Sequence, residues 1–208
     1  MFFVAAGMFS VLMLPFIELL FPTWGSFVFD PFHRHFFTVA PKEEIIKYLS
    51  FYLLTRSVKI KNVHPTGIMF YYGMVGLGFA MIENLQYLAS YGAEVLLVRT
   101  FTSTIAHMLF GMFAGYWVAM SKINSGKYAN RSVFGILMSK HKELKKLVYS
   151  GIGIFSAILY HGLWNYNLSS SKEASFSIMI LMLIIGLVVA KFASDDLVTK
   201  YRRKLRNV

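Results

Sequence analysis

The sequence predicts an all-α membrane protein: a polytopic bundle of about six transmembrane helices around an internal polar site in the extracytoplasmic half. Three observations carry this prediction. First, of 208 residues, 56% are hydrophobic and 15% charged, against roughly a quarter charged in soluble domains; mean hydropathy is +0.55. Second, apolar runs long enough to cross a bilayer recur along the chain. Third, the basic residues gather between alternate runs. The same composition excludes intrinsic disorder. The absence of Cys excludes disulfides and thiolate metal sites.

A spanning helix needs about 20 mostly apolar residues. Residues 1–21 qualify, interrupted only by Glu18. No basic residue precedes that run and no small-residue cleavage site follows, so it reads as a retained helix. Residues 41–55 are shorter and carry Lys42, Glu43, Glu44 and Lys47. Hydropathy alone would pass them over, but Pro41 suits a first helical turn and nothing breaks the next dozen residues. Residues 66–88 span with Glu83 near their end, and 93–120 span with Arg99 and His107 inside. Residues 147–166 span with His161 inside, and 176–192 form the cleanest apolar run.

The net charge of +11 would suggest nucleic acid in a soluble protein. Here the charges sort by side. Arg56, Lys59 and Lys61 precede the third helix. Lys122, Lys127, Arg131, Lys140, Lys142, Lys145 and Lys146 fall between the fourth and fifth. Lys200, Arg202, Arg203, Lys204 and Arg206 form the tail, while Arg34, Lys42 and Lys172 fall opposite. The positive-inside rule makes the richer side cytoplasmic and places both termini there. The basic runs then read as orientation and contact with the lipid bilayer, not as a nucleic-acid surface. The chain is one membrane domain, 1–208. Its basic loop, 121–146, is too short for a domain of its own, and its basic tail is 193–208. Gly73, Gly76, Gly78, Gly111 and Gly115 read as close helix-packing positions. Ser125-Gly126-Lys127 lacks the rest of a P-loop, and the sequons at Asn130 and Asn167 carry no argument.

An ionisable side chain at membrane depth costs roughly 2.5–3.5 kcal/mol on insertion scales, so each needs a reason. Glu43, Glu44 and Lys47 open the second helix. Glu83 and Asn84 lie late in the third. Arg99, Ser103 and His107 follow one another at i, i+4 on the fourth, as do His161 and Asn165 on the fifth. Counted from the cytoplasmic ends, these groups converge on one layer roughly 17–26 Å deep in a core of about 30 Å. Each has a bland alternative. The Glu pair could favour a helix dipole, and Glu43–Lys47 could be a neutralising i, i+4 pair. The Asn residues could be interhelical glue. Arg99 could anchor at the interface or offset a Glu. His33-Arg34-His35 could bind metal but reads better as a solvated loop.

Together the clusters form four motifs. Glu43-Glu44-Ile45-Ile46-Lys47 is EExxK, and Gly78-Phe79-Ala80-Met81-Ile82-Glu83-Asn84 is GFAxxEN. Ala106-His107-Met108-Leu109-Phe110-Gly111 is AHxxFG, and His161-Gly162-Leu163-Trp164-Asn165 is HGxWN. In this order and spacing, over the core 41–165, the chain resembles the PrsW family of membrane-embedded proteases. That family is related to the CAAX-prenyl-protease and bacteriocin-processing glutamate intramembrane proteases. Lys47 and the Glu83-Asn84 pair favour the PrsW branch over the CAAX-type one.

The resemblance implies peptide-bond hydrolysis of membrane protein substrates, such as single-span anti-sigma factors, near the outer face of a bacterial inner membrane. A carboxylate in a low-dielectric site is a stronger base toward water, and an imidazole beside it can orient that water or stabilise an oxyanion. Glu44, or its neighbour Glu43, is the expected general base, with His107 and His161 positioning water or polarising the carbonyl. Asn165 is expected to donate to the oxyanion or support the site. Lys47, Glu83, Asn84 and Arg99 are carried as substrate-binding or supporting residues. Two His with one or two Glu is also a plausible zinc shell, drawn from Glu44, Glu83, His107 and His161. No H-E-x-x-H is present, and the reading favours a metal-free mechanism over zinc. The competing function is a proton-coupled transporter using the same Glu, His and Lys groups, against which the lack of an internal repeat weighs. Substrate identity and oligomeric state are not legible.

Overall fold

The structure, a computed structural model, describes residues 1–20, 30–57, 63–124, 142–170 and 175–206. Helix α1 is Phe2–Leu20. Helix α2, Pro31–His33, runs through a π-helical segment, Arg34–Val39, into α3, Ala40–Ser57. Then come α4, Pro65–Tyr91; α5, Ala93–Phe101; α6, Ser103–Asn124; α7, Lys142–Ser170; and α8, Ser175–Arg206. No strand occurs among the described residues. Five stretches are long and apolar enough to cross a membrane: α1, α4, the α5–α6 unit, most of α7 and α8. The sixth expected helix is α3. It is too charged to qualify, yet Lys42, Glu43, Glu44 and Lys47 on it are all buried.

Several expected boundaries are corrected. The second helical stretch starts at Pro31, not Pro41, with Asp30 as its N-cap accepting from the His33 amide. Pro41 instead follows the π segment, where the Ala40 amide donates five residues back to the His35 carbonyl. Proline has no N–H to give and its ring crowds the carbonyl four residues earlier, so a wider turn ahead of it relieves both problems. The fourth span is broken at Thr102, between α5 and α6. Gly92, at φ 85°, makes the turn from α4 to α5, a conformation that favours glycine. The tail from 193 is the continuation of α8 as far as Arg206. Lys59, Lys61, Lys127, Arg131, Lys140, Lys172, the Asn130 sequon and Ser125-Gly126-Lys127 lie outside the described residues.

Hydrophobicity does not drive helix association in lipid, so close backbone approach must supply contact. Helices α4 and α6 obtain it from glycines. A Cβ on Gly111 would lie 2.6 Å from the Tyr72 carbonyl oxygen, and one on Gly115 would lie 2.8 Å from Met69 Cα. Gly7 and Gly78 do the same for α1 against α4. Tyr72, Phe79, Leu109, Phe110 and Trp164 fill the interior. The outer faces expose Phe9, Leu12 and Phe16 on α1 and Leu181, Ile184, Val188 and Phe192 on α8, as a lipid-facing surface does.

At one end of the bundle the last carbonyls of α6 are met by lysines. Lys145 donates to Asn124 O (2.6 Å), and Lys204 to Ile123 O (2.9 Å) and Lys122 O (3.2 Å). Lys122 donates to Val63 O (3.0 Å). Nearby, Asp196 accepts from Tyr116 (2.8 Å) and Lys200 (2.6 Å). The polar motifs lie toward the other end.

Candidate active site

Glu43, Glu44 and Lys47 occupy i, i+1 and i+4 of α3, and the bundle closes over all three. Lys47 has no solvent exposure, and its ammonium sits 4.0 Å over the Phe79 ring. An ammonium only donates. It donates to Glu44 Oε1 (2.7 Å) and to His107 Nδ1 (2.8 Å). Glu43 Oε2 is farther, at 3.7 Å. Lys47 therefore pairs with both carboxylates, hydrogen-bonded to Glu44 at i−3 and more loosely with Glu43 at i−4, the pair that spacing predicts.

From Lys47 the hydrogen bonds run in both directions and fix every tautomer on the way. His107 accepts at Nδ1, so its Nε2–H donates to Glu83 Oε2 (3.0 Å). That oxygen also accepts from Arg99 Nη2 (2.6 Å). Arg99 Nε donates to Asn84 Oδ1 (2.9 Å), and Asn84 Nδ2 donates to Thr104 Oγ1 (2.9 Å). On the other side, His161 Nδ1–H donates to Glu44 Oε1 (2.8 Å), and Asn165 Nδ2 donates to His161 Nε2 (3.0 Å). Glu44, Lys47, Glu83, Asn84, Arg99, His107, His161 and Asn165 thus join one network across α3, α4, α5, α6 and α7. Arg99 offsets Glu83 and does not stand free at an interface. Asn84 is glue, as its bland reading held.

Packing sets the imidazoles. The His107 and His161 rings meet edge to face at 5.0 Å, and Phe110 stacks on His161 at 4.7 Å. Gly76 presses directly on the backbone of His107, which ties that residue to α4. A Cβ on Gly162 would lie 2.6 Å from the Phe36 ring, so the residue after His161 leaves room for the π segment. Sequence reasoning placed Phe110 in a motif without a role, and missed Thr104 and Tyr87, whose ring lies 3.5 Å under the Arg99 guanidinium. Tyr87 is four residues from Glu83, so helical spacing could have found it.

Two acceptors in this layer are left over. Glu43 Oε2 and Glu44 Oε2 are buried and have no hydrogen-bond partner among the described residues. Glu43 Oε2 stands 3.8 Å from His161 Nε2. Glu43 also lines a cavity of about 450 Å3 shared with Leu14 and Glu18 of α1, Arg34, Thr38 and Val39 of the π segment, and Lys42. Glu18, which the sequence left without a role, pairs with Lys42 at 3.5 Å.

The donors near enough to share one metal ion are Glu43, His107 and His161, with ligand atoms within 4.8 Å of one another. Of the four metal candidates from sequence, both His are in this group. Glu44 and Glu83 are not; Glu44 bonds Lys47 and His161, and Glu83 bonds Arg99 and His107. A carboxylate and two imidazoles form an ordinary open catalytic zinc shell. The unpartnered Glu43 Oε2 fits such an ion, and so does His161, whose Nδ1–H is held by a carboxylate in the manner of a metal-bound histidine. His107 would have to exchange one of its two hydrogen bonds for the metal, and His161 its bond from Asn165. His33 and His35 do not join the group; His33 Nδ1 pairs with Asp30 at 2.5 Å.

Comparison with known proteins identifies one family. The family model described as PrsW family intramembrane metalloprotease matches residues 1–191. The chain is 27% identical to Protease PrsW of Oceanobacillus iheyensis over 191 residues, covering 90% of this chain and 80% of that one. It is 27% identical to Protease PrsW of Shouchella clausii over 177 residues, covering 85% and 74%. A shorter match to Protease PrsW of Bacillus subtilis reaches 34% identity over 64 residues, 31% of this chain and 29% of that one. No solved structure matches.

Proposed function

Because the chain belongs to the PrsW family of intramembrane proteases, we propose that Glu43 is its general base and that it cuts single-span membrane proteins near the extracytoplasmic face. The observation that carries this is the spare oxygen of Glu43, buried, unpartnered and lining a cavity. Water donating to Glu43 Oε2 loses its proton there as its oxygen attacks the scissile carbonyl. The C–N bond then breaks, and the proton passes from Glu43 to the departing amine. Glu44 fixes the His161 tautomer through Nδ1–H, so Nε2 accepts from Asn165 and aligns that amide beside the water. Asn165, held against that nitrogen, keeps a second N–H for the oxyanion. Lys47 balances Glu44 and sets the His107 tautomer. Glu83, Arg99 and Asn84 brace His107 from behind.

A second reading is supported by the grouping of Glu43, His107 and His161. Zinc bound to these three would acidify a bound water and polarise the carbonyl. The metal-free reading is favoured because both nitrogens of His107 are already engaged, one of them by an ammonium. Purified protein carrying about one metal per chain, and losing cleavage to a strong chelator, would establish the zinc reading. Full cleavage after verified metal removal would leave Glu43 alone as base.

The deciding assay incubates detergent-purified protein with a panel of single-span membrane proteins. Defined fragments are expected from wild type and none from Glu43→Gln. Well-folded Glu43→Gln and Glu44→Gln variants that both cut at wild-type rate would end the protease mechanism. We place the protein in a bacterial inner membrane on its family likeness, with both termini cytoplasmic in keeping with the basic clusters. A reporter fused at Gly92 should read outside and one at the C-terminus inside; the reverse pattern overturns the orientation.

A further inference from the structure

We propose that the cleft between α1 and the π-helical end of α3 is the lateral route by which an unwound segment of a membrane-spanning substrate reaches Glu43. The inference rests on the protease reading and adds the path. A peptide bond inside a helix cannot be attacked until its backbone is pulled out and held, and lipid tolerates exposed backbone only against protein or in a polar cavity. The chain has such a place. Glu43 forms part of the cavity wall, with a buried oxygen that lacks a hydrogen-bond partner among the described residues. Lys42, Arg34 and Glu18 give the cavity polar groups that can meet a peptide's amides and carbonyls. At about 450 Å3 the cavity falls within the usual range of binding sites, about 300–1,000 Å3.

The way α1 is attached makes it the moving wall. Its first turns are locked to α4 by backbone contact at Gly7 and Gly78 and by the stacking of Phe3 on Tyr71 at 4.6 Å. Its outer half has no such glycine contact. Leu14 and Ile17 rest on the Ile46 and Phe79 cluster through side chains alone. The polar link there is Glu18 to Lys42, at 3.5 Å, with Glu18 two-thirds exposed. Pinned at one end and held by side chains at the other, α1 can swing from its outer half while its first turns stay on α4.

The chain has no Cys, so thiol cross-linking reads the cleft directly. Leu14→Cys with Val39→Cys faces two cysteines across it; Phe3→Cys with Tyr71→Cys pins the end already closed. With a reducible cross-linker, the first pair should lose at least tenfold in cleavage of a single-span substrate and recover on reduction. The second pair should keep its rate when bridged. Wild-type cleavage by the bridged Leu14/Val39 pair overturns the route. A photo-cross-linking residue at Leu14, in a Glu43→Gln chain holding uncut substrate, tests binding apart from chemistry. Adducts at Leu14 that exceed those from lipid-facing Leu181 support the route, whereas equal or no labelling refutes it. Labelling at Leu14 by a chain that never cuts would instead remove the protease reading and keep the cleft.

Discussion

Two regions of this molecule bury positive charge, and they do it differently. At the basic end, Lys122, Lys145 and Lys204 donate to backbone carbonyls, most of them at the C-terminus of α6. A helix end leaves its last carbonyls without partners and carries partial negative charge, so lysines there answer a need the fold itself creates. In the polar layer, Lys47 and Arg99 donate to carboxylates and an imidazole that no helix end demanded. Two carboxylate oxygens beside them have no hydrogen-bond partner among the described residues. Stability alone does not account for that surplus, because an unpaired buried acceptor costs about 1–3 kcal/mol, more when charged. In the mechanism proposed above, a donor from outside, a water and then a peptide, completes the network there.

Substitutions can widen or erase this contrast. The largest effect is expected from Glu43→Gln, which should lower cleavage by about 10²–10⁴ in a fragment assay. His161→Ala should cost about as much. If the two act on one water, the double variant should fall little further. Independent, multiplying losses would show that they do not share it. Next comes Lys47→Met, which strands Glu44 and His107 and should cost about 3–5 kcal/mol of stability, read by unfolding in detergent. Gly111→Leu should follow at about 1–3 kcal/mol, since α4 and α6 meet there at backbone distance. The smallest effect should be Lys204→Met, near 0.3–1 kcal/mol, with cleavage unchanged. A Lys204 variant as damaging as Lys47→Met would erase the distinction between the regions. Exposed Glu94→Gln is the neutral control in both assays.

The sequence exposed most of the layer because buried charge is so costly in lipid that Glu83, Arg99, His107 and His161 stand out in apolar runs. It exposed α3 too, although hydropathy could not, because nothing in 41–55 breaks a helix. Helical spacing did not reveal which Glu would hydrogen-bond Lys47. Glu43 and Glu44 are both within reach, and the choice is made by His107 and His161 on distant helices. The break at Thr102 was hidden by an apolar run that continues across it. The early start at Pro31 was hidden because Pro41 reads equally well as a first turn. Glu18, Arg34 and Lys42 were set aside as ordinary flanking charges, since only the packing of α1 on α3 brings them to one cavity.

The π-helical segment at Arg34–Val39 has a consequence for how this chain tolerates length changes. A wide turn amounts to one residue more than a regular helix of the same rise, and each residue of an α-helix turns the chain by about 100°. Removing a single residue there would convert the segment to regular helix. The part beyond it, with Asp30 to His33, would then rotate by about that angle, while Glu43, Glu44 and Lys47 kept their register. Arg34 and Thr38 would turn off the cleft with the chemical groups untouched. The segment therefore acts as a phase shifter: it sets the outer rim of the cavity independently of the acids below it, so what the rim accepts can drift without altering what those acids do.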